Sequence, residues 1–196
     1  MNRADVIELH YITAITNVPS MLQHGILSHN RAQQLPHISV AMAEIQDRRR
    51  EKQIPGAGHL HDYVNLYFDA HNPMLSVRRN RNDEICVLRI SSDVLDLGNV
   101  IVTDMNAARD AVRFYDVASG LAALDREKLF ATFWLHQDDP IEEDRHKALK
   151  CAEVLVPDSV APQRIRGAYV ANSIALGALQ ALNLGLQVNV NVGMFF

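Results

Sequence analysis

"LHDYVNLYFDAHNPML", residues 60–75, is the stretch that decides how this chain is read. Its first half, "YVNLYF", is rich in β-branched and aromatic residues and reads as a strand. Its second half is a polar turn through Asn72 and Pro73, and the arginines Arg78, Arg79 and Arg81 follow at once. A strand that empties into a turn and then a basic patch suggests a site at the strand's end.

Working outward, "VIELHYITAI" (6–15), "ICVLRIS" (85–91), "NVIVTD" (99–104) and "EVLVP" (153–157) also read as strands. Alternation predicts a half-buried strand in "LQVNVNVGMFF" at the C-terminal end. A short helix is expected in "TNVPSMLQHGILS", with Asn17 as N-cap, Pro19 in the first turn and Gly25 as the stop. Further helices are expected over 37–52, from 107 to about 135 with a break at Ser119-Gly120, over 141–151, and from Asn172 or Ser173 to Gly185. "QIPGAGHLH" reads as a loop. Strands at both ends, with helices between them and no regular βαβ rhythm, give an α+β class. At 196 residues the chain is expected to form one domain, 1–196.

Composition narrows the function. A net charge of −4 excludes a wholly basic nucleic-acid glove, so any such contact must be local. Arg48, Arg49 and Arg50 with Lys52 form one basic cluster, and Arg78, Arg79 and Arg81 form another. Each reads equally well as a solvated face, but both flank residues 60–75, which favours one anion-binding surface. Cys86 and Cys151 lie in apolar stretches and are expected to be buried free thiols of a reducing compartment. No signal peptide is expected from "MNRADVIELHYI", and no apolar run reaches the roughly 18 residues of a membrane span.

Nine histidines invite a metal, but there is no Cys pair and no H-E-x-x-H, so none is expected. The sequence has no G-x-S-x-G, no G-x-G-x-x-G after a strand and no Walker A loop. Glu142, Glu143 and Asp144 read as a solvated helix face. Glu153 opens an apolar strand; taken alone it is either an edge residue facing water or a carboxylate aimed into a cleft, and the residue type favours the former.

Beyond these readings, the chain resembles the DarT family of DNA ADP-ribosyltransferase toxins. "LHYITAITNVPSMLQHGILSHN" is similar to the family's opening, a histidine-bearing strand, a threonine and an "N-x-P" turn. "GAGHLHDYVNLYFDAHNPML" is similar to the family run "GGxLHDYVPFYFxPxxPML". Ile45–Arg49 match an "I-Q-x-R-R" helix, Ala152–Val156 a late "A-E-x-L-V", and "VNVNVGMFF" the closing strand, so the resemblance spans nearly the whole chain.

The resemblance implies an ADP-ribosyltransferase fold, two mostly antiparallel sheets with NAD in the cleft between them. It implies transfer of ADP-ribose from NAD to a base of single-stranded DNA, thymidine in one branch of the family and guanine in another. It makes Glu153 the catalytic carboxylate, against its bland reading. Arg49 becomes the catalytic, NAD-contacting arginine, with Arg48 and Arg50 one register step away. His10, Thr13 and Asn17 would contact NAD, and Tyr67 and Phe68 would wall the nicotinamide. Met74 and Asn106 would line the acceptor-base pocket, and Arg78, Arg79 and Arg81 would track the DNA backbone. A DarG-type macrodomain antitoxin and a cytoplasmic location are implied as well. Asn65, Leu66, His71 and Asn106 depart from the family's pattern, and they leave guanine open beside thymidine. The competing classes are an NAD glycohydrolase or RNA 2′-phosphotransferase on the same fold, and a non-enzymatic nucleic-acid binder.

Overall fold

A computed structural model describes residues 1–196. The strands are β1 Glu8–Ala14, β2 Ile26–Leu27, β3 Gln53–Ile54, β4 Gly58–His59, β5 Tyr63–Tyr67, β6 Ile85–Ser91, β7 Ile101–Thr103, β8 Phe114–Tyr115, β9 Glu153–Pro157, β10 Ser159–Val160, β11 Ile165–Val170 and β12 Val188–Val190. The helices are α1 Val18–His24, α2 His29–Ala32, α3 Ala43–Glu51, α4 Pro73–Ser76, α5 Val117–Ala123, α6 Arg126–Leu129, α7 Pro140–Lys150 and α8 Ser173–Gln180.

Eight strands follow the order β12-β11-β6-β1-β5-β9-β7-β8, antiparallel except for β11 with β12. β1 and β6 share seven registered pairs, from Glu8↔Ser91 to Ala14↔Ile85. β5 and β9 share five, from Tyr63↔Pro157 to Tyr67↔Glu153. Between β1 and β5 there is one, His10↔Tyr67. The two expected sheets are therefore two four-stranded halves joined at a single pair, and backbone that parts there leaves room for a cleft.

Period-two alternation explains "YVNLYF". Val64, Leu66 and Phe68 enter the main core with Leu88, Ile90, Val154 and Val156. Tyr67 faces the other way, into a second cluster with Ile12, Leu75, Val87 and Cys151. In β9, Val154 and Val156 take the core positions, so Glu153, the cross-strand partner of Tyr67, shares the tyrosine's face.

Several elements differ from expectation. The helix expected over 37–52 is confined to Ala43–Glu51, because the Asn17 side chain captures the Ile38 backbone at both N–H and C=O and holds that segment irregular. The long helical pattern after residue 107 breaks into β8, α5 and α6, and Ser119-Gly120 lies inside α5 rather than ending it. A Cβ at Gly120 would meet Val102 Cβ at 2.4 Å, so this glycine allows the helix to press on β7. "QIPGAGHLH" contains a small hairpin, β3 with β4. The C-terminal strand is three residues long and mostly exposed. β11, between β12 and β6, had no counterpart in the sequence reading. Gly25 does stop α1, with φ +85°. Cys86 and Cys151 are buried free thiols as expected, and burial pushes both up to about 12.

Candidate active site

The parting of β1 from β5 opens into a cavity of about 1080 Å³. β1, the segment 35–42, α3 and the turn from Tyr67 to Arg78 line it. Its chemical centre is an ion pair on the Tyr67 face. Arg49 Nη1 and Nη2 donate to Glu153 Oε1 and Oε2, each at 3.0 Å, a two-pronged contact. The Ala107 N–H adds a third donor to Oε1 at 3.0 Å. The backbone beneath is fixed too: the Glu153 N–H donates to Thr103 Oγ1 at 3.0 Å, and that hydroxyl donates to the Met105 carbonyl at 2.7 Å.

Glu153 is fully buried, one layer behind the cavity lining, and Arg49 closes over it. Burial alone would lower the guanidinium's proton affinity; the charge and hydrogen bonds of Glu153 outweigh it and raise Arg49 further. The neighbouring phenols stay protonated. Tyr67 is raised well above its ordinary value by burial and by the charge of Glu153, and Tyr11 is raised by burial.

Thr13, Asn17, Tyr67, Met74 and Asn106, named from the family resemblance, all line the cavity beside Arg49. The Asn17 amide donates to Thr13 Oγ1 at 3.2 Å and to the Ile38 carbonyl at 2.8 Å, so it shapes the wall rather than capping α1. Asn106 neighbours the Ala107 N–H that holds Glu153, and its own Oδ1 takes the Ala108 N–H.

His10 is not among the lining residues. His10 is in register with Tyr67, and Tyr67 with Glu153, so the three side chains stand in one row on one face of the sheet, with His10 Nε2 3.3 Å from the Glu8 carboxylate. Phe68 is a core residue and walls nothing. Arg78 does not track a surface: it is buried, and its guanidinium donates to the Val40 carbonyl and, at 2.8 Å, to the Met74 carbonyl. Arg79 is exposed and outside the lining, and Arg81 pairs with Glu84. The two arginine clusters thus divide, with Arg48, Arg49 and Arg78 at the cavity and Arg50, Arg79 and Arg81 outside it.

Two features escaped sequence reasoning. Tyr11, which the sequence did not single out, lines the cavity. His61 stacks on His29 with ring centroids 4.0 Å apart and lies 3.1 Å from Gln46 Oε1. Burial, then His29, Arg49 and Arg50, press His61 down to about 4, so this pair gives the cavity a neutral aromatic wall beside a cationic one. The doublet "HLH" was visible, but its partner His29 is remote in sequence. No three His, Cys, Asp or Glu side chains converge on a common metal position. No helix is long and apolar enough to cross a membrane.

With this geometry in place, comparison with known proteins is specific. Residues 10–196 match the family model described as "ssDNA thymidine ADP-ribosyltransferase, DarT". A DNA ADP-ribosyl transferase of Thermus sp. (strain 2.9) is 32% identical over 160 residues, covering 76% of this chain and 73% of that protein. A DNA ADP-ribosyl transferase–DNA ADP-ribosyl glycohydrolase fusion protein of Thermosipho africanus is 29% identical over 191 residues, covering 90% of this chain. The chain spans only 46% of that fusion's length. The solved Thermus sp. 2.9 DarT in complex with ADP-ribosylated ssDNA superposes with a TM-score of 0.83 at 26% identity, covering 100% of this chain and 99% of that one. The same enzyme in complex with NAD+ superposes with a TM-score of 0.78 at 23% identity, covering 98% of each chain, and supports the fold.

Proposed function

The chain belongs to the DarT family, and we propose that it transfers ADP-ribose from NAD to a base of single-stranded DNA and releases nicotinamide. The observation that carries the reading is the buried Arg49–Glu153 pair at the parting of the two half-sheets, beside a cavity large enough for a dinucleotide.

The chemistry follows from the groups present. The bond between the ribose C1′ and the nicotinamide nitrogen breaks, and nicotinamide leaves with the electron pair. Positive charge grows on the ribose, as it does in glycoside hydrolysis. Glu153 stabilises that charge and takes the proton that the attacking base nitrogen loses on bonding to C1′. Arg49 holds Glu153 in place with two N–H groups and offers the remaining ones to the pyrophosphate or to the base as its proton leaves.

NAD-binding roles fall to Tyr11, Thr13 and Tyr67, with Asn17 fixing the 35–42 segment. His10, in register with Tyr67 and through it with Glu153, keeps the ribose-orienting place that the resemblance gives it. The neutral His29–His61 wall suits an uncharged ring. Met74 and Asn106 line the acceptor side, and a base must be unstacked to reach them, which accounts for a single-strand requirement. Exposed Arg79 is the member of its cluster free to meet a phosphate. Thymidine is the acceptor inferred from the family model's description, and guanine is the alternative. The fusion relative carries a glycohydrolase in the same polypeptide; a DarG-type macrodomain that removes the ADP-ribose is the matching antitoxin. The working place is the cytoplasm, where the DNA is, and residues 1–196 act as one catalytic domain.

The test is to incubate the protein with NAD and single-stranded oligonucleotides, each lacking one base type, and to weigh the products. A gain of one ADP-ribose, lost when thymine is absent and lost in Glu153→Ala, is the expected result. Loss only when guanine is absent would reassign the base. NAD hydrolysis without any mass gain would make the chain a glycohydrolase. Untouched NAD would overturn the reading in favour of a binding module.

A further inference from the structure

His71 lies in the turn between Tyr67 and Met74, and both of its ring nitrogens face main-chain oxygens. Nδ1 is 3.1 Å from the Met194 oxygen, and Nε2 is 3.1 Å from the Thr132 oxygen. A carbonyl only accepts, and a neutral imidazole has one N–H. Both contacts are hydrogen bonds only when the ring carries two protons. In the neutral ring a lone pair faces a carbonyl oxygen.

Two aromatic rings flank the imidazole. The Phe196 ring stacks on His71 at 4.2 Å and 18°, and Trp134 meets it edge-on at 5.4 Å. A charged imidazole over an aromatic face gains a cation–π contribution. The charged groups on the neighbouring elements are Asp69 and Lys150. The Asp69 carboxylate takes the His71 backbone N–H on one oxygen and Lys150 Nζ on the other. Lys150 also donates to the Ala131 carbonyl at 2.9 Å. Neither 131–134 nor 194–196 brings a titratable side chain.

We propose that His71 is a proton-operated clasp, fastening the 131–134 and 194–196 segments to the turn that leads into Met74 on the cavity wall. Doubly protonated, it holds both segments. As pH rises through the range where imidazole titrates, the ring keeps one donor, and one segment loses its hydrogen bond. A single proton therefore decides whether both segments or only one is held to the turn that leads to Met74. The inference does not depend on the reaction assigned above, because its test reads structure rather than turnover.

The experiment is amide hydrogen exchange over 130–135 and 192–196 at pH 5.5 and pH 8, each rate divided by the intrinsic rate at that pH. In the wild type, protection in one or both segments falls about 5–10-fold at pH 8, the scale of one hydrogen bond. His71→Arg, a permanent cation with several donors, holds protection level between the two pH values; His71→Gln is weakly protected at both. Nitrogen-15 NMR of the histidine rings reads the same proton without any variant, and His71 shows two protonated nitrogens at pH 5.5 and one at pH 8. Flat wild-type protection, a His71→Arg profile that follows the wild type, or a single N–H at pH 5.5 would overturn the clasp. Should a variant not fold, the wild-type exchange series and the NMR decide alone.

Discussion

Glu153→Ala should destabilise the protein as well as silence it, and the size of the effect follows from the site. The carboxylate takes three donors, two from Arg49 and one from the Ala107 N–H, and is itself fully buried. The Arg49 side chain is only 7% exposed. Removing the carboxylate leaves a buried guanidinium without its counter-charge, a change that costs about 3–5 kcal/mol. Against a total stability of about 5–15 kcal/mol, that is a large fraction. Urea unfolding followed by circular dichroism reads it directly. With a slope of about 2–3 kcal/mol/M, the midpoint drops by about 1–2 M. The double variant Arg49→Met/Glu153→Leu removes both charges and should return to within about 1 kcal/mol of the wild type, while remaining inactive. A Glu153→Ala protein as stable as the wild type, or a double variant no better than the single, would refute the claim that the pair is held as a buried unit. An increase in stability would show instead that the carboxylate is a strained group kept for chemistry.

Three further outcomes are expected. Glu8 is depressed to about 2: burial would raise it, but hydrogen bonds from His10, Arg89 and Tyr169 prevail. Its contribution is therefore present above about pH 4.5 and lost as pH falls toward 2, on the order of 1–2 kcal/mol after allowing for solvent screening; Glu8→Gln should flatten that part of a stability–pH curve, and an unchanged acid limb would contradict it. Gly120→Ala improves helix propensity by about 1 kcal/mol yet forces a Cβ against Val102, so the melting temperature should fall; a rise would mean that α5 can move away. At pH 8 the native protein should resist thiol reagents and yield two thiols per chain only in denaturant, because Cys86 and Cys151 are buried and pushed up to about 12; fast native labelling would contradict that burial.

Elements with a strong local signal were legible. β6 runs over "ICVLRIS" and β9 over "EVLVP" as read, because continuous apolar runs have few other uses in a chain of this size. The failures were set by distant partners. β11 carries Arg166 and Gly167 near its start, so nothing in its own sequence marks it as inner; its place between β6 and β12 does. Residues 37–42 hold helical spacing, but the Asn17 amide takes the Ile38 backbone groups that a helix would need. The aspartate caps at Asp116 and Asp125, each accepting an N–H three residues on, start separate short helices where periodicity suggested one long one.

The site shows the same division, and it bears on how DNA would be recognised under the proposed function. Arg49 and Glu153 were identified by motif, and the fold brings them together across 104 residues of sequence. His10, Tyr67 and Glu153 come from three strands far apart in sequence, and only the sheet register shows that they stand in one row. Arg78 and Arg79 are adjacent, yet one is buried with backbone carbonyls and the other faces water. Many of the outer arginines have acidic partners: Arg3 with Asp96, Arg31 with Asp158, Arg81 with Glu84, Arg109 with Asp144 and Arg164 with Asp93. In a chain of net charge −4, such pairs offer phosphates little free attraction. Under the function proposed above, recognition would rest on what the cavity does with one unstacked base, not on a charged track along the strand. Its determinants would then be Met74, Asn106 and the Arg49–Glu153 pair rather than the outer arginines.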